Sequence, residues 1–173
     1  MALATPETRV MLDPEAMRSV GVRPTPRKVI AVASGGGHWV ELQRLMKAFH
    51  GHDVTFVTVN SASRGDVGRS PVHVVTDATR RNPCRIVVLA IQMLWLVLRI
   101  RPAVVISTGS APGYFGIVFG RIFGARTIWV DSLANVERLS MSGSLVRPFA
   151  GLWLTQWPHL ATKHGPEYVG QVL

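Results

Sequence analysis

KVIAVASGGGHWVELQRLMKAFH, residues 28–50, decides how the rest of this chain is read. Lys28–Ala33 is a β-branched run, the composition of a strand. It breaks at Ser34-Gly35-Gly36-Gly37-His38, where consecutive glycines let the backbone turn tightly and approach a ligand closely. From Trp39 to His50 the apolar residues Val40, Leu42, Leu45, Met46 and Phe49 fall mostly at helical spacing. A strand, a glycine turn and a helix in that order open many phosphate- and nucleotide-binding domains.

The same alternation continues outward. Strands are expected at Asp53–Val59, Val72–Thr76, Ala103–Ser107, Arg126–Val130, Leu152–Thr155 and Tyr168–Val169. Asn82-Pro83 opens a long apolar helix that Pro102 ends, and Tyr114–Phe123 forms another, with Gly116 and Gly120 placed for close packing. Asn60–Ser70, Thr108–Gly113 and Ser132–Gly143 read as loops, the last of them as a loop or broken helix. The expected fold class is α/β, a Rossmann-like, largely parallel sheet covered on both faces, in one domain over residues 28–173. Residues 1–27 read as a flexible leader with a short helix around Pro14–Val20. Ligands of such sheets bind beyond the carboxyl ends of the strands. The loops after Ala33, Ser107 and Val130 are therefore expected to meet in one cleft.

Nineteen Lys and Arg stand against 10 Asp and Glu, a net charge of +9. That surplus suits phosphates, anionic headgroups or nucleic acid. No aromatic-basic interleaving supports nucleic acid, which is not expected as a partner. Hydrophobic residues make up 47% and charged residues 17%, which points to apolar surface facing a membrane or a partner. Cys84 is the sole cysteine, so no intrachain disulfide forms, and it reads as a packing residue.

The glycine turn with the helix behind it suits a phosphate or pyrophosphate, because backbone amides and the positive helix end both face the anion. His38 could donate to that phosphate, act as general base for an acceptor hydroxyl, or simply cap the turn. Position 40 is Val40 where GxGxxG needs glycine, and no Gly-Lys-Ser/Thr follows, which excludes the dinucleotide and P-loop patterns. TGSAPG, residues 108–113, is a second small-residue loop whose Thr108, Gly109, Ser110 and Gly113 suit a phosphate or sugar, and it is no nucleophile elbow. Asp131 and Glu137 could accept a proton or bind a sugar; either could equally serve a helix cap or an ion pair with Arg138 or Arg147. His, Cys and acidic residues show no metal-ligand spacing, so no protein-bound metal is expected.

Ile86–Leu98, IVVLAIQMLWLVL, has one polar side chain, Gln92, and no charge. It is shorter than the ~20 residues that cross a bilayer. Arg80, Arg81 and Arg85 precede it and Arg99 and Arg101 follow, which suits an interfacial helix whose cations reach headgroups. Arg85, Ile86, Leu89, Met93, Trp95, Leu96 and Arg99 are its expected membrane contacts; the competing reading is a helix buried in the core.

Three blocks, SGGGHWVELQRL, ISTGSAPG and IWVDSLANVERLSMSGSLVRPFAGLWLTQWPHL with YVGQVL, resemble the family of the membrane-anchoring subunit of the dolichol-pathway UDP-GlcNAc transferase. Its bacterial PssD/CpsF-type relatives match likewise, and the N-terminal half of MurG is distantly similar. The resemblance runs from Lys28 to Leu173, and LSMSG followed by QWP is its specific part. It implies one half of a split GT-B glycosyltransferase, active only with a separate C-terminal-half subunit that binds the UDP-sugar; this chain binds no cofactor of its own. The implied acceptor is a polyprenyl-pyrophosphate-linked sugar, undecaprenyl in the bacterial relatives, which build exopolysaccharide or capsule at the cytoplasmic face of the inner membrane. The family's glycine-His loop falls on Gly35, Gly36, Gly37 and His38, its second loop on Thr108, Gly109 and Gly113, and its acidic strand end on Asp131. Gln156, Trp157, Pro158, Tyr168 and Leu173 are the implied partner interface. Eukaryotic members carry a transmembrane helix near the N-terminus that residues 1–27 do not supply, so attachment would rest on Ile86–Leu98. A scaffold that only recruits the catalytic partner is the alternative function.

Overall fold

A computed structural model describes residues 25–172. Seven strands run in the order β3-β2-β1-β4-β5-β6-β7. They are β1 (Lys28–Val32), β2 (Asp53–Thr58), β3 (Val72–Val74), β4 (Val104–Ser107), β5 (Arg126–Val130), β6 (Leu152–Thr155) and β7 (Glu167–Tyr168). All neighbouring pairs are parallel. The chain starts in the middle, winds outward to β3, crosses back past β1 and winds outward again to β7. The reversal lies between β1 and β4, where a doubly wound sheet opens a crevice for its ligand.

Four α-helices cover the sheet: α1 (Gly36–Arg44), α2 (Pro83–Ile100), α3 (Ser110–Ile122) and α4 (Met141–Val146). The strands alternate their side chains between two apolar layers. Ile30, Val32, Val57 and Val105 meet Leu89, Met93 and Val97 of α2, Ile117 of α3 and Val146 of α4. Val29, Ala31, Phe56, Ile106 and Val130 meet Trp39 and Leu42 of α1 with Phe49 and Val67 from two 3-10 turns. The expected Rossmann-like, parallel α/β sheet is the fold observed.

Local details differ for physical reasons. The first helix starts inside the glycine turn, at Gly36, and tightens into a 3-10 turn over Leu45–Phe49. The second small-residue loop is helical from Ser110, because Pro112 lies in the first turn, where its missing N–H would have no intrahelical partner. Gly116 and Gly120 do permit close packing: a Cβ on Gly120 would lie 2.6 Å from Val105 Cγ2, and one on Gly116 would lie 3.2 Å from Val32 Cγ2. Cys84 is exposed near the start of α2, which corrects its reading as a packing residue.

Helix α2 combines both readings of the apolar segment. Leu89, Met93, Leu96 and Val97 are buried against the sheet, so Leu89, Met93 and Leu96 are not membrane contacts. The opposite stripe is apolar as well and stays open: Val87 is 57% exposed, Ile91 61% and Trp95 53%, with Val88 and Leu98 beside them. The single polar side chain is used locally, Gln92 Oε1 accepting the Thr76 amide at 2.8 Å. The expected leader and the helix around Pro14–Val20 lie within residues 1–24 for the most part, outside the described residues, as does Leu173.

Candidate functional site

The turns after β1 and β4 meet at the carboxyl edge of the sheet. Parallel pairing of Val32 with Ser107 puts the two strand ends side by side. Thr108 Oγ1 then donates to the His38 carbonyl at 2.7 Å, tying one turn to the other. Gly109 has a φ of 139°, a conformation that favours glycine. A Cβ there would lie 2.6 Å from Cε1 and 2.7 Å from Nδ1 of His38, so only glycine admits the imidazole at this place. Gly36 also has positive φ, 54°, and faces open space.

Helix ends distinguish this edge. Asn82 caps α2 by accepting the Arg85 amide, and Ser140 caps α4 by accepting the Gly143 amide. Helices α1 and α3 start at Gly35 and Gly109 with no side-chain cap. Their first-turn amides therefore remain available to an outside acceptor. Ser110 holds a φ of 75°, strained for a non-glycine residue, at the start of α3.

A cleft of about 310 Å³ opens there, lined by Gly37, His38, Ser110, Ser132, Ala134, Asn135, Ser140, Met141 and Ser142. A larger cavity of about 380 Å³ lies at the opposite, amino end of the strands, between the ends of α2 and α3, away from both glycine turns. Chemistry favours the smaller one, where hydroxyls, helix amides and an imidazole converge.

Behind two residues that line the cleft, His38 and Ser132, is a buried acid that the reading of the sequence did not single out. Glu41 is 4% exposed, and its Oε1 accepts from Ser132 Oγ at 2.9 Å and from the Leu133 amide at 2.8 Å. It thereby joins α1 to the loop after β5. Its Oε2 is buried without a hydrogen-bond partner and lies 3.9 Å from His38 Nδ1, which is buried and unpartnered too among the described residues. The signal was present in the spacing: residues 38 and 41 stand i, i+3 on one helix, hence on one face.

Other expected site residues are distributed unequally. Gly37, His38 and Ser110 line the cleft, and Ser34, Gly35 and Gly36 form the turn beside it. Ser34 contributes its carbonyl to the turn itself, accepting from Thr58 Oγ1 and the Val59 amide. Thr108 is buried with its hydroxyl committed to His38, and a Cβ on Gly113 would fall 1.9 Å from Ser107 Oγ. Both are packing residues here, which corrects their assignment to phosphate contact. Asp131 is 1% exposed; Oδ2 accepts the Ser140 amide at 2.8 Å, while Oδ1 accepts from Ser140 Oγ and from Trp129 Nε1 at 3.3 Å. It anchors the cap of α4 and presents no free oxygen to a substrate, which corrects its candidacy as base. Glu137 is exposed on the same loop and does not line the cleft.

At the other end of the chain, Gln156 is 1% exposed; it donates to the Asp131 carbonyl and accepts the Val172 amide. It holds the C-terminal tail and is no interface residue. Trp157 donates to the Leu133 carbonyl at 2.8 Å, while Pro158 and Tyr168 are exposed, Tyr168 on the edge strand β7.

Comparison with known proteins gives the family and the fold. The family described as "Oligosaccharide biosynthesis protein Alg14 like" matches residues 72–172. The UDP-N-acetylglucosamine transferase subunit ALG14 of Yarrowia lipolytica is 30% identical over 156 residues, covering 86% of this chain and 68% of that protein. The subunit of the same name from Eremothecium gossypii is 28% identical over 181 residues, covering 85% of this chain and 80% of that one. The crystal structure of Acinetobacter baumannii MurG is similar in fold, with a TM-score of 0.69 at 14% identity over 83% of this chain. This chain spans 45% of that MurG chain.

Proposed function

This chain belongs to the Alg14-like family of oligosaccharide biosynthesis proteins, and from that premise we propose that it is the acceptor-side subunit of a two-component glycosyltransferase. The chain holds a sugar carried on a polyprenyl pyrophosphate. A separate subunit, the other Rossmann half, brings the UDP-sugar. The observation that carries this reading is the convergence of two uncapped helix N-termini and one half-buried histidine on a single cleft. Relatives named as UDP-N-acetylglucosamine transferase subunits support the donor class. Undecaprenyl as carrier, exopolysaccharide or capsule as product, and the cytoplasmic face of the inner membrane are the finer form of the proposal, and rest on the resemblance to the bacterial relatives.

In this reading the acceptor's diphosphate lies over the amides of Gly36, Gly37 and Ser110, where helix ends favour negative charge. His38 takes the proton of the attacking hydroxyl as that oxygen bonds to the anomeric carbon of the donor. The bond from that carbon to the UDP oxygen breaks, and UDP leaves with the electron pair. The exposed stripe of α2, with Arg85 before it and Arg99 after it, rests on the bilayer surface. Trp157, Pro158 and Tyr168 belong to the face that meets the partner.

Reconstitution tests the proposal. The purified chain alone should turn over no lipid-linked acceptor, and addition of the partner subunit should start the reaction. His38→Ala should lower kcat of the pair by about 10²-fold or more, the usual worth of a general base, with the chain still folded. A scaffold that merely recruits the partner is favoured by the open stripe of α2 taken alone; it expects His38→Ala to leave the rate unchanged.

A further inference from the structure

Glu41 is a buried acid with one oxygen engaged and one free. Its Oε1 holds Ser132 and Leu133, while Oε2 has no partner and sits 3.9 Å from the equally unpartnered Nδ1 of His38. A buried carboxylate oxygen and a buried ring nitrogen left unpaired side by side each carry an uncompensated desolvation cost. The cost falls when one N–H points at the other oxygen. The separation is about 1 Å beyond a hydrogen bond, a gap that a small side-chain rotation closes. Contacts of this kind are often long before substrate binds.

The ring itself has little freedom. Gly109 lies against its Cε1–Nδ1 edge, and the His38 carbonyl is held by Thr108. With Nδ1 buried and the side chain 29% exposed, the open edge of the imidazole is the one that carries Nε2. Glu41 therefore has the position to select which nitrogen bears the proton. A carboxylate has only acceptor oxygens, so Nδ1 must be the donor and Nε2 must keep its lone pair.

We infer that Glu41 is a positioning residue for His38: it holds the imidazole in the Nδ1–H tautomer, so that Nε2 faces the cleft as a proton acceptor. It also pairs with the imidazolium that forms once His38 has taken the acceptor's proton. This deepens the reading of His38 as general base and rests on it for its role in turnover. The tautomer itself can be measured without any turnover.

Glu41→Gln is the informative substitution. The glutamine carbonyl keeps both hydrogen bonds to Ser132 and Leu133, so the loop after β5 stays attached. The amide nitrogen then faces Nδ1 and donates to it, which forces the proton onto Nε2 and removes the acceptor from the cleft. In hydrolases that orient a histidine by a carboxylate, such an inversion lowers kcat about 10⁴-fold.

Long-range proton–nitrogen correlation spectra of the full chain, labelled with ¹⁵N-histidine, read the tautomer, with His38→Ala assigning the signal. Neutral His38 should carry its proton on Nδ1 in the wild type and on Nε2 in Glu41→Gln. In the reconstituted pair, kcat of Glu41→Gln should fall about 10²- to 10⁴-fold while KM for the lipid acceptor changes less than about 3-fold. The double variant with His38→Ala should lose no more than His38→Ala alone. An Nε2–H tautomer in the wild type overturns the inference, and this needs no variant to fold. So does a Glu41→Gln chain that keeps the wild-type tautomer or the wild-type rate. Full activity of His38→Ala would instead remove the base assignment, whatever the tautomer shows.

Discussion

Single atoms decide the cleft. Gly109 admits the His38 ring only because it has no Cβ. Gly109→Ala adds that atom 2.6 Å from Cε1 at a φ of 139°, so we expect a loss of about 1–3 kcal/mol in thermal or denaturant unfolding, and a displaced imidazole. Activity of the reconstituted pair should fall further than stability accounts for. Gly143 has a comparable constraint, since a Cβ there would lie 2.7 Å from Asp131 Oδ1 and 2.8 Å from Ser140 Oγ. Gly143→Ala should disturb the α4 cap at a cost of about 1–3 kcal/mol, read as a lower melting temperature. At this scale the sequence was partly legible. The glycine-His turn announces a close backbone approach, but the roles of Asp131 and Glu41 do not follow from their types. Asp131 follows the end of β5 and Glu41 lies within α1, and the difference between them is how many donors each meets once folded.

Among the elements, α2 carries the clearest division of labour. Its 18 residues have a mean hydropathy of 1.8, as apolar as a membrane-crossing segment, yet one stripe packs on the sheet and the other is open. The two stripes should respond differently. Leu89→Ala and Met93→Ala should destabilise the chain by about 2–5 kcal/mol each, through lost burial and a residual cavity. Ile91→Asp with Trp95→Asp should leave the melting temperature nearly unchanged, and should abolish sedimentation with vesicles containing anionic lipid. Binding by those vesicles unaffected by the double substitution would place the lipid contact elsewhere. Arg99 lies over the Trp95 ring at 5.2 Å, so the aromatic and the cation at that end act as one unit. Helical periodicity alone could not separate the stripes, because nearly every position is apolar and no polar face marks the outside.

For the molecule as a whole, topology brings distant turns together. Loops that start 75 residues apart, after Val32 and Ser107, become neighbours because β1 and β4 pair at the centre of the sheet. The loop after β5 closes on them through Glu41. Helices α1, α3 and α4 present their N-termini, or the loops before them, to one edge. In the proposed two-subunit enzyme, the partner would have to face that edge for a donor to reach it. We therefore expect the reconstituted pair to protect the amides of residues 34–38 and 108–111 from hydrogen exchange when a lipid acceptor is present. Without acceptor, the amides of Gly36, Gly37 and Ser110 should show little protection.

The order of the strands and of α1 to α3, the two small-residue turns and the apolar helix were determined locally, by periodicity and glycine placement, and are legible in the residues themselves; α4 is not. Which acid is buried, which stripe of α2 is open, and which small residues pack instead of binding depend on neighbours supplied from elsewhere in the chain. A side chain's burial and hydrogen-bond partners are properties of the assembled sheet. Only the tertiary structure could assign them.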